Sequence, residues 1–273
     1  MAKSGLRLDP TRTTTLRRQY VTEMRKRFFN VRRAVVEAVG KLDVLGLKAR
    51  TPITFHQLEK DAWRFQTDAQ KLTSFNEWFQ ERVDADILQV NVKGDPWTAK
   101  YVESAYKKGS IRAYTDVHRE ALAPSPDFYQ GSKEQFLRSA FNQPERISKL
   151  KLLYTRSYEE LKGITSAMAQ QVSRVVADGM ANGLGPASIA RNLSNTITGI
   201  TRQRAMTMAR TEVIHAHAEG QLDSFEDLGI EEVGVQAEWS TAGDEKVCPL
   251  CGALEGAVMT IEEARGLIPR HPN

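Results

Sequence analysis

The spacing of apolar residues is the feature that most constrains the fold of this chain, because they recur every three or four positions over most of its length. The first such stripe consists of Leu16, Tyr20, Met24, Phe28, Val31, Val35 and Leu42. Basic residues occupy positions between these apolar ones. Side chains at this spacing share one face of an α-helix. The pattern therefore predicts a long amphipathic helix at the start of the chain.

Similar spacing continues beyond this first helix. A second stripe between residues 58 and 83 predicts a long helix that packs against another helix, with Asn76 in its apolar seam. A third stripe begins near Trp97 and contains Gly109. Because glycine weakens helices, we expect Gly109 to loosen the third helix.

The clearest break in the pattern lies at residues 123–132, where two prolines, a glycine and small polar residues are typical of a loop. We place a domain boundary there, with a basic helical N-terminal region at 1–130 and a second domain at 131–273. The second domain is predicted to begin with a short helix at 132–142. A long helix follows from Pro144, since proline is favoured at the first position of a helix.

The rest of the second domain changes from helical to mixed structure. Pro186 predicts the start of a short helix, and residues 201–228 predict a separate long helix with Gly229 as its C-cap. Residues 233–240 alternate between apolar and polar side chains, which predicts a β-strand. Thr260 opens a capping box that predicts one more short helix.

These patterns define the fold class as mainly α. A long-helix N-terminal region is followed by an α+β C-terminal domain, whose helices extend to about residue 229 and whose small β-element and cysteine knuckle occupy 233–273. No apolar run is long enough to span a membrane, and the first residues lack the apolar segment of a secretory signal. We therefore expect neither a membrane span nor a signal peptide.

Charge is distributed unevenly along the chain, although the net charge is only +4. Residues 1–50 carry 13 Lys and Arg against 4 Asp and Glu, whereas residues 211–273 carry 3 against 13. This polarity predicts two ends that face different partners, with the basic end able to meet nucleic acid or an acidic protein surface. The alternative is that both ends are ordinary solvated helix faces.

Both cysteines lie in one short motif, C-P-L-C-G, as Cys248 and Cys251. This spacing lets two thiolates turn toward one cation, as in structural zinc sites, with His271 as the natural third ligand and Asp244 as a fourth. The alternatives are a turn with two thiols, a local disulfide, or redox chemistry. A thioredoxin-like role would require a βαβ pattern around the motif, which the sequence lacks. Two cysteines this close also favour a reducing, cytosolic origin.

The helix predicted at 201–228 carries several polar side chains. His215 and His217 lie about 200° apart around a helix, so they cannot share a metal ion, and we expect polar or packing roles for them. Arg210 and Glu212 are expected to anchor the helix to neighbouring elements. The sequence contains no P-loop, nucleotide-binding glycine motif, nucleophile elbow or zinc-protease motif, and it does not indicate an enzyme.

Three short segments together resemble a known family. They are A-R-T-E-V at 209–213, W-S-T-A-G-D-E-K-V-C-P-L-C-G-A-L-E-G at 239–256 and P-R-H-P-N at 269–273. In this order they resemble the head morphogenesis domain of the phage Mu F family, which are minor capsid proteins of tailed bacteriophages. The resemblance covers roughly 150–273, and the family motif falls on Arg210, Thr211, Glu212 and Trp239. In the family the His-Pro is usually followed by Cys-x-Cys, and a cysteine after Asn273 would supply the missing metal ligand.

The resemblance implies a virion component and not a catalyst. Its expected partners are the phage portal protein, capsid or scaffold proteins, and packaged double-stranded DNA. It implies a place inside the phage head near the portal vertex, reached from the host cytoplasm during assembly, and a role in head assembly and in genome packaging or ejection. The zinc site at Cys248, Cys251, His271 and Asp244 is the one cofactor site we expect.

The basic residues of the first helix are the predicted contacts with DNA or with the portal. They are Arg17, Arg18, Arg25, Lys26, Arg32 and Arg33. Since no base-reading motif occurs, DNA contact is expected to be non-specific. Two other functions stay open from the residues: a regulatory DNA-binding protein that uses the basic helices and the cysteine knuckle, and a nuclease or toxin-like enzyme.

Overall fold

The computed structural model describes residues 9–48, 67–120, 131–230, 236–243 and 247–268. These residues form eight α-helices, one π-helical turn and one two-stranded sheet, which confirms the prediction of a mainly α fold. The helices are α1 Thr14–Val35, α2 Asp68–Asp86, α3 Ala99–Glu120, α4 Lys133–Ala140, α5 Pro144–Ala181, α6 Pro186–Asp227, α7 Pro249–Ala253 and α8 Ile261–Leu267. The antiparallel strands are β1 Ala237–Glu238 and β2 Val258–Met259.

The first helix buries the apolar stripe that its sequence indicates, with one exception. Tyr20, Met24 and Phe28 are almost fully buried along α1. The π-helical turn Val36–Lys41 follows α1 directly, and Leu42 comes after it with 41% of its surface exposed. A π-turn holds more residues per turn than an α-helix, so the positions after it rotate out of the stripe. The prediction that Leu42 continues the stripe was therefore wrong.

The second helix begins at Asp68, with Thr67 as its N-cap and a capping box closed by Gln70. Its buried face is formed by Phe75, Trp78, Phe79 and Val83. Asn76 is half-buried beside this face. The predicted start of the helix, between residues 58 and 66, lies outside the described residues.

The two helices predicted for 186–228 are one helix of 42 residues, α6. Its buried apolar positions include Ile189, Leu193, Ile197 and Ala205, and the helix runs unbroken through the unburied stretch 198–204, which contains Gly199. Three threonine hydroxyls in the middle of α6 donate to carbonyls four residues back, at 2.7–2.9 Å. The prediction of two separate helices was therefore wrong.

The predicted end of this helix is confirmed. Gly229 adopts φ 69°, a left-handed conformation that glycine accepts without strain. The N–H of Gly229 donates to the carbonyl of Glu226 at 2.9 Å, and the N–H of Ile230 donates to that of Phe225 at 3.3 Å. These are the two hydrogen bonds of a Schellman C-cap.

Gly109 does not loosen the third helix, which continues unbroken through it. A Cβ at Gly109 would lie 1.9 Å from the carbonyl oxygen of His217, and a Cβ at Gly220 would lie 2.1 Å from that of Tyr106. Both glycines therefore allow the backbones of α3 and α6 to approach closely. The Ser110 hydroxyl donates to the Gly220 carbonyl at 3.2 Å in the same crossing. The interpretation of Gly109 as a weak point was wrong, because a contact with a distant segment determines its role.

The chain divides into two compact units that are each discontinuous in sequence. Unit 1 comprises Met1–Tyr20, Trp97–Ser157 and Met206–Asn273, and unit 2 comprises Val21–Pro96 and Tyr158–Ala205. Helices α1, α5 and α6 each contribute one segment to each unit. The domain boundary predicted near residue 130 adjoins residues 121–130, which lie outside the described ranges, and it stays a prediction.

The C-terminal element is described in part. Of the strand predicted at 233–240, Ala237–Glu238 pairs with β2, while residues 231–235 are outside the described part of the chain. The predicted capping box is confirmed, since Thr260 and Glu263 form it at the start of α8. Among the described residues, no helix combines the length and the apolar character that crossing a membrane requires.

Candidate functional site

The cysteine knuckle, which we define as residues 247–256, is a tight turn built around its two thiols. Cys248 is the N-cap of α7, where its Sγ accepts a hydrogen bond from the N–H of Cys251 at 3.3 Å. Pro249 takes the first helical position, where a missing N–H costs nothing. Both cysteine side chains are half-buried. The spacing of the motif thus brings two thiols to one turn, as the sequence predicts.

The two thiols differ in their affinity for a proton. The hydrogen bond from the N–H of Cys251 lowers the pKa of the Cys248 thiol, and the positive charge of Arg210 lowers it further. Burial and the neighbouring Cys248 raise the pKa of Cys251 to about 11. Since Arg210 acts on both thiols, the knuckle lies within electrostatic reach of α6.

Trp239 joins the knuckle to the small sheet. The backbone N–H of Trp239 donates to the carbonyl of Ala257 at 2.8 Å, and the backbone carbonyl of Trp239 accepts from the N–H of Gly256 at 2.8 Å. The N–H of Thr241 donates to a carboxylate oxygen of Glu255 at 2.7 Å, which fixes the chain on the other side of the tryptophan. The Trp239 side chain packs on an apolar cluster that includes Met259. The Trp-x-Thr and Leu-Glu-Gly segments are therefore held together by hydrogen bonds, and we call this pair of segments the Trp239 closure.

The Arg210–Glu212 segment faces two different neighbours. Arg210 acts on the cysteines, whereas Glu212 is buried and pairs with Arg156 of α5 at 3.2 Å. Arg156 also contacts Nδ1 of His215 at 2.5 Å. His215 and His217 are both buried, and burial lowers the pKa of His217 to about 4. Glu212 thus ties α6 to α5, as expected for an anchoring residue, whereas the anchoring role of Arg210 stays a prediction.

A network of buried ion pairs joins α5, α6 and α8 within unit 1. Its contacts are Arg146–Asp223 at 2.8 Å, Arg146–Asp227 at 2.7 Å, Lys149–Glu219 and Lys149–Asp223 at 2.6 Å each, Arg265–Glu219 at 2.9 Å, Arg265–Asp223 at 2.8 Å and Arg265–Glu226 at 2.6 Å. Asp223 is its centre, because three cationic side chains and the Tyr106 hydroxyl all converge on its carboxylate. The network satisfies buried charges that would otherwise be costly.

The protonation of the network follows from these contacts. Burial alone would raise the pKa of Glu219, but the close contacts with His215 and Lys149 dominate and hold the pKa at about 2. The pKa of Asp223 is likewise lowered, since Lys149 and Tyr106 outweigh the effect of burial. The acidic residues of α6 thus meet cations of their own unit. The expectation that the acidic end faces a partner stays a prediction for the remaining acids, of which Glu238 and Glu262 are exposed.

Sequence reasoning missed this network, although a signal for it exists. The acids of α6 recur on one helix face, at Glu212, Glu219, Asp223 and Asp227, while the bases of α5 recur at Arg146, Lys149 and Arg156. The two series match in reverse order, as they would on antiparallel helices. Arg265 has no such signal, because it belongs to a short helix far away in the sequence.

The basic residues predicted on α1 differ in their surroundings. Arg17 pairs with Asp9, which also accepts hydrogen bonds from Thr11 and Thr14, so its charge closes the turn before α1. Arg18, Arg25, Lys26 and Arg33 are exposed, and Arg32 is partly exposed. Arg17 is therefore the least suited of the six to contact a partner.

The metal site predicted from the sequence is described only in part. Cys248 and Cys251 fit a soft cation such as Zn²⁺, because both sulfur ligands lie in one turn. Asp244 and His271 lie outside the described residues. Within the described ranges, no group of three His, Cys, Asp or Glu side chains is placed to hold a metal ion.

Helix α6, the Trp-x-Thr segment and the cysteine knuckle all fall within a part of the chain that comparison with family models matches. Residues 170–273 match the family described as Phage Mu protein F like protein, so this part of the chain carries a domain of that family. The match begins within α5 and includes α6, the sheet, the knuckle and α8. Comparisons with curated proteins and with solved structures gave no match.

The matched family indicates a general role for this part of the chain. The Phage Mu F-like family implies a head morphogenesis protein of a phage, with a place in the virion. By the same inference its role is structural and not enzymatic. Its partners are then other components of the phage head.

Proposed function

We propose that this chain is a minor head protein of a tailed bacteriophage that binds the portal protein inside the head and acts in head assembly. The family match at 170–273 is the observation that supports this most directly. Capsid or scaffold proteins are further partners during assembly.

The protein would also contact packaged double-stranded DNA without sequence preference, during packaging or ejection. The support for this is the exposed charge of Arg18, Arg25, Lys26 and Arg33 on α1. Each phosphate that such a side chain neutralises strengthens binding in a manner that depends on salt.

The knuckle would act as a clasp that fastens the end of the domain, with a zinc ion held by Cys248, Cys251, His271 and Asp244. A structural zinc ion stabilises a small turn that has too little core of its own. We expect Cys248→Ser and His271→Ala to lower thermal stability or incorporation into heads. Native mass spectrometry of the full chain should show one zinc ion, lost in both variants. Zinc-free protein that melts like a zinc-loaded sample would mean that the clasp works without metal.

The head role is tested in virions. Quantitative mass spectrometry of purified particles should detect the chain in low copy number relative to the major capsid protein, and cross-linking should join it to the portal protein. A variant in which Trp239 is replaced by alanine is expected to reduce incorporation, because the Trp239 closure is lost. If the chain is expressed during infection but absent from purified virions, the head role is refuted.

A further inference from the structure

Two contacts within unit 2 establish how α1 and α6 lie beside each other. The Arg32 guanidinium donates to the Thr198 hydroxyl at 3.3 Å. A Cβ at Gly40, in the π-turn after α1, would lie 2.8 Å from the Cβ of Ala190. Gly40 lies eight residues after Arg32 on one segment, and Ala190 lies eight residues before Thr198 on the other. The two helices are antiparallel neighbours in a defined register.

This register brings two rows of side chains together. On α1, Arg25, Phe29 and Arg32 are four and three residues apart, which places them along one side of the helix. On α6, Arg191, Asn195, Thr198 and Arg202 form a row with the same kind of spacing. Since Arg32 touches Thr198, the rows adjoin. We call this surface the α1–α6 basic face, and it consists of Arg25, Phe29, Arg32, Arg191, Thr198 and Arg202.

The face has no acidic residue on its own helical segments. Residues 24–36 and residues 186–205 contain no Asp or Glu. Just before the first segment, Glu23 pairs with Arg27 at 3.0 Å. Glu37 is the first acidic residue after it. Within these two segments the arginines of the face therefore have only neutral or basic residues as neighbours in sequence, whereas the bases of unit 1 pair with acids.

The chemistry of the face fits phosphate better than protein. Four arginines carry the charge of the face, and its one aromatic side chain is Phe29, 47% exposed, with the Arg32 guanidinium 4.7 Å from its ring centre. Arginine, threonine and asparagine are side chains that bind the phosphate backbone of DNA. The row from Arg191 to Arg202 is about 17 Å long at 1.5 Å per residue. That length matches about five base-pair steps of about 3.4 Å each.

We propose that the α1–α6 basic face binds the phosphate backbone of double-stranded DNA, with α6 contributing as much as α1. This gives the DNA contact of the proposed function a defined surface, and it rests on that function for its setting in the phage head. It adds Arg191, Thr198 and Arg202 to the side chains expected to meet DNA. The binding is independent of base sequence, because arginine rows on a helix pair read the backbone and not the base edges.

The test measures binding of the purified full chain to a labelled duplex by fluorescence anisotropy over a salt series. Each lost phosphate contact reduces the slope of log K against log salt by about 0.9. We expect Arg191→Gln/Arg202→Gln and Arg25→Gln/Arg32→Gln each to reduce the slope by about 1.8, and all four substitutions together to reduce it by about 3.6. Two unrelated duplexes of equal length should bind equally well.

The matched control is Lys133→Gln/Arg138→Gln, which removes two exposed charges from α4 in unit 1 and should leave the slope unchanged. The proposal is overturned if the α6 double variant behaves like this control. It is also overturned if a poly-glutamate peptide of equal charge competes as well as duplex DNA, since the face would then suit an acidic protein. Binding by the purified chain is separate from its presence in virions, so failure of the head role would be recognised independently.

Discussion

The two parts of α6 use charge in opposite ways. In unit 1 its acidic residues pair with bases of α5 and α8 in the interior, with Asp223 at the centre. In unit 2 the same helix presents Arg191 and Arg202 on an exposed face, on a segment without acids. The difference shows that the sign and density of charge in a sequence do not decide its use. A complementary series on a neighbouring helix decides whether charge serves the fold or a partner.

The two kinds of charge also differ in energy. A buried pair is expensive to break, because removing one partner leaves an unpaired charge away from water. An exposed arginine contributes little to stability, and salt screens its interactions over about 10 Å at moderate ionic strength. Stability and DNA binding should therefore respond to different substitutions and differently to salt.

The largest effect is expected from Asp223→Asn. The substitution removes the carboxylate shared by Arg146, Lys149 and Arg265, whose side chains are 11%, 27% and 28% exposed, and leaves the three cations around a neutral amide. We expect a loss of about 3–5 kcal/mol in the free energy of unfolding, as for other broken buried pairs. Urea denaturation followed by circular dichroism measures it.

Two controls make this result specific to burial. Glu226→Gln removes a half-exposed partner of Arg265 and should cost less than about 1 kcal/mol. Arg191→Gln/Arg202→Gln removes exposed charges and should change stability by less than about 0.5 kcal/mol. If this arginine pair destabilises the chain as much as Asp223→Asn does, the contrast between internal and exposed charge is mistaken.

Much of the fold could be predicted from single segments. The stripe of α1, the start of α5 at Pro144 and the capping box at Thr260 depend on neighbours within a few turns, and local physics is sufficient for them. The continuity of α6 was predicted wrongly, and its threonine-rich middle has low helix propensity. Buried positions such as Ile197 outweigh that propensity, and burial is a property of the whole fold.

Parts of the candidate site that are contiguous in sequence could be predicted, whereas parts that depend on distant residues could not. The cysteine knuckle and Trp239 could be identified because their motifs are short and contiguous. The role of Gly109 could not, because it depends on His217, which lies far along the sequence. Only the α1 arginines of the α1–α6 basic face could be predicted, because they belong to a helix that is basic in sequence. Arg191 and Arg202 join the face only through the antiparallel register of α1 and α6.

The next largest effect is expected where α3 crosses α6, the crossing that holds the internally charged part of α6 in place. Gly109→Ala puts a methyl group on the carbonyl oxygen of His217, where backbone must move. We expect a loss of about 2–3 kcal/mol in the free energy of unfolding, the upper range for overpacking. Chemical denaturation measures the loss.

Gly163→Ala is the matched control, since a Cβ at this helical glycine of α5 meets no atom within 4 Å. It should raise stability by up to about 1 kcal/mol, because alanine favours helix more than glycine does. Equal effects of the two substitutions would mean that the close crossing of α3 and α6 does not constrain unit 1.

The smallest effect is expected from pH, which should change the stability of unit 1 but not DNA binding by the α1–α6 basic face. Burial lowers the pKa of His217 in unit 1 to about 4 from an ordinary value of 6.5, with Asp9, Arg112, Lys108 and Asp116 acting more weakly. Between these values the unfolded chain binds a proton that the folded chain does not, so stability falls as pH falls from about 6.5 to about 4. We expect a loss of about 2 kcal/mol between pH 7 and pH 5, from about 1.4 kcal/mol per pKa unit. Arginines stay charged over this range, so the affinity of the α1–α6 basic face for DNA should be nearly constant.

Unfolding free energies at pH 7 and pH 5 test this, with His217→Gln expected to remove most of the pH dependence. His118→Gln, which changes an exposed histidine of α3, should leave the dependence in place. Glu219 adds little to the pH dependence between pH 7 and pH 5. Its pKa of about 2 in the folded chain and its ordinary value of 4.5 both lie below pH 5. A pH dependence that persists in His217→Gln, or DNA affinity that falls in parallel with stability, would show that the two regions do not respond separately.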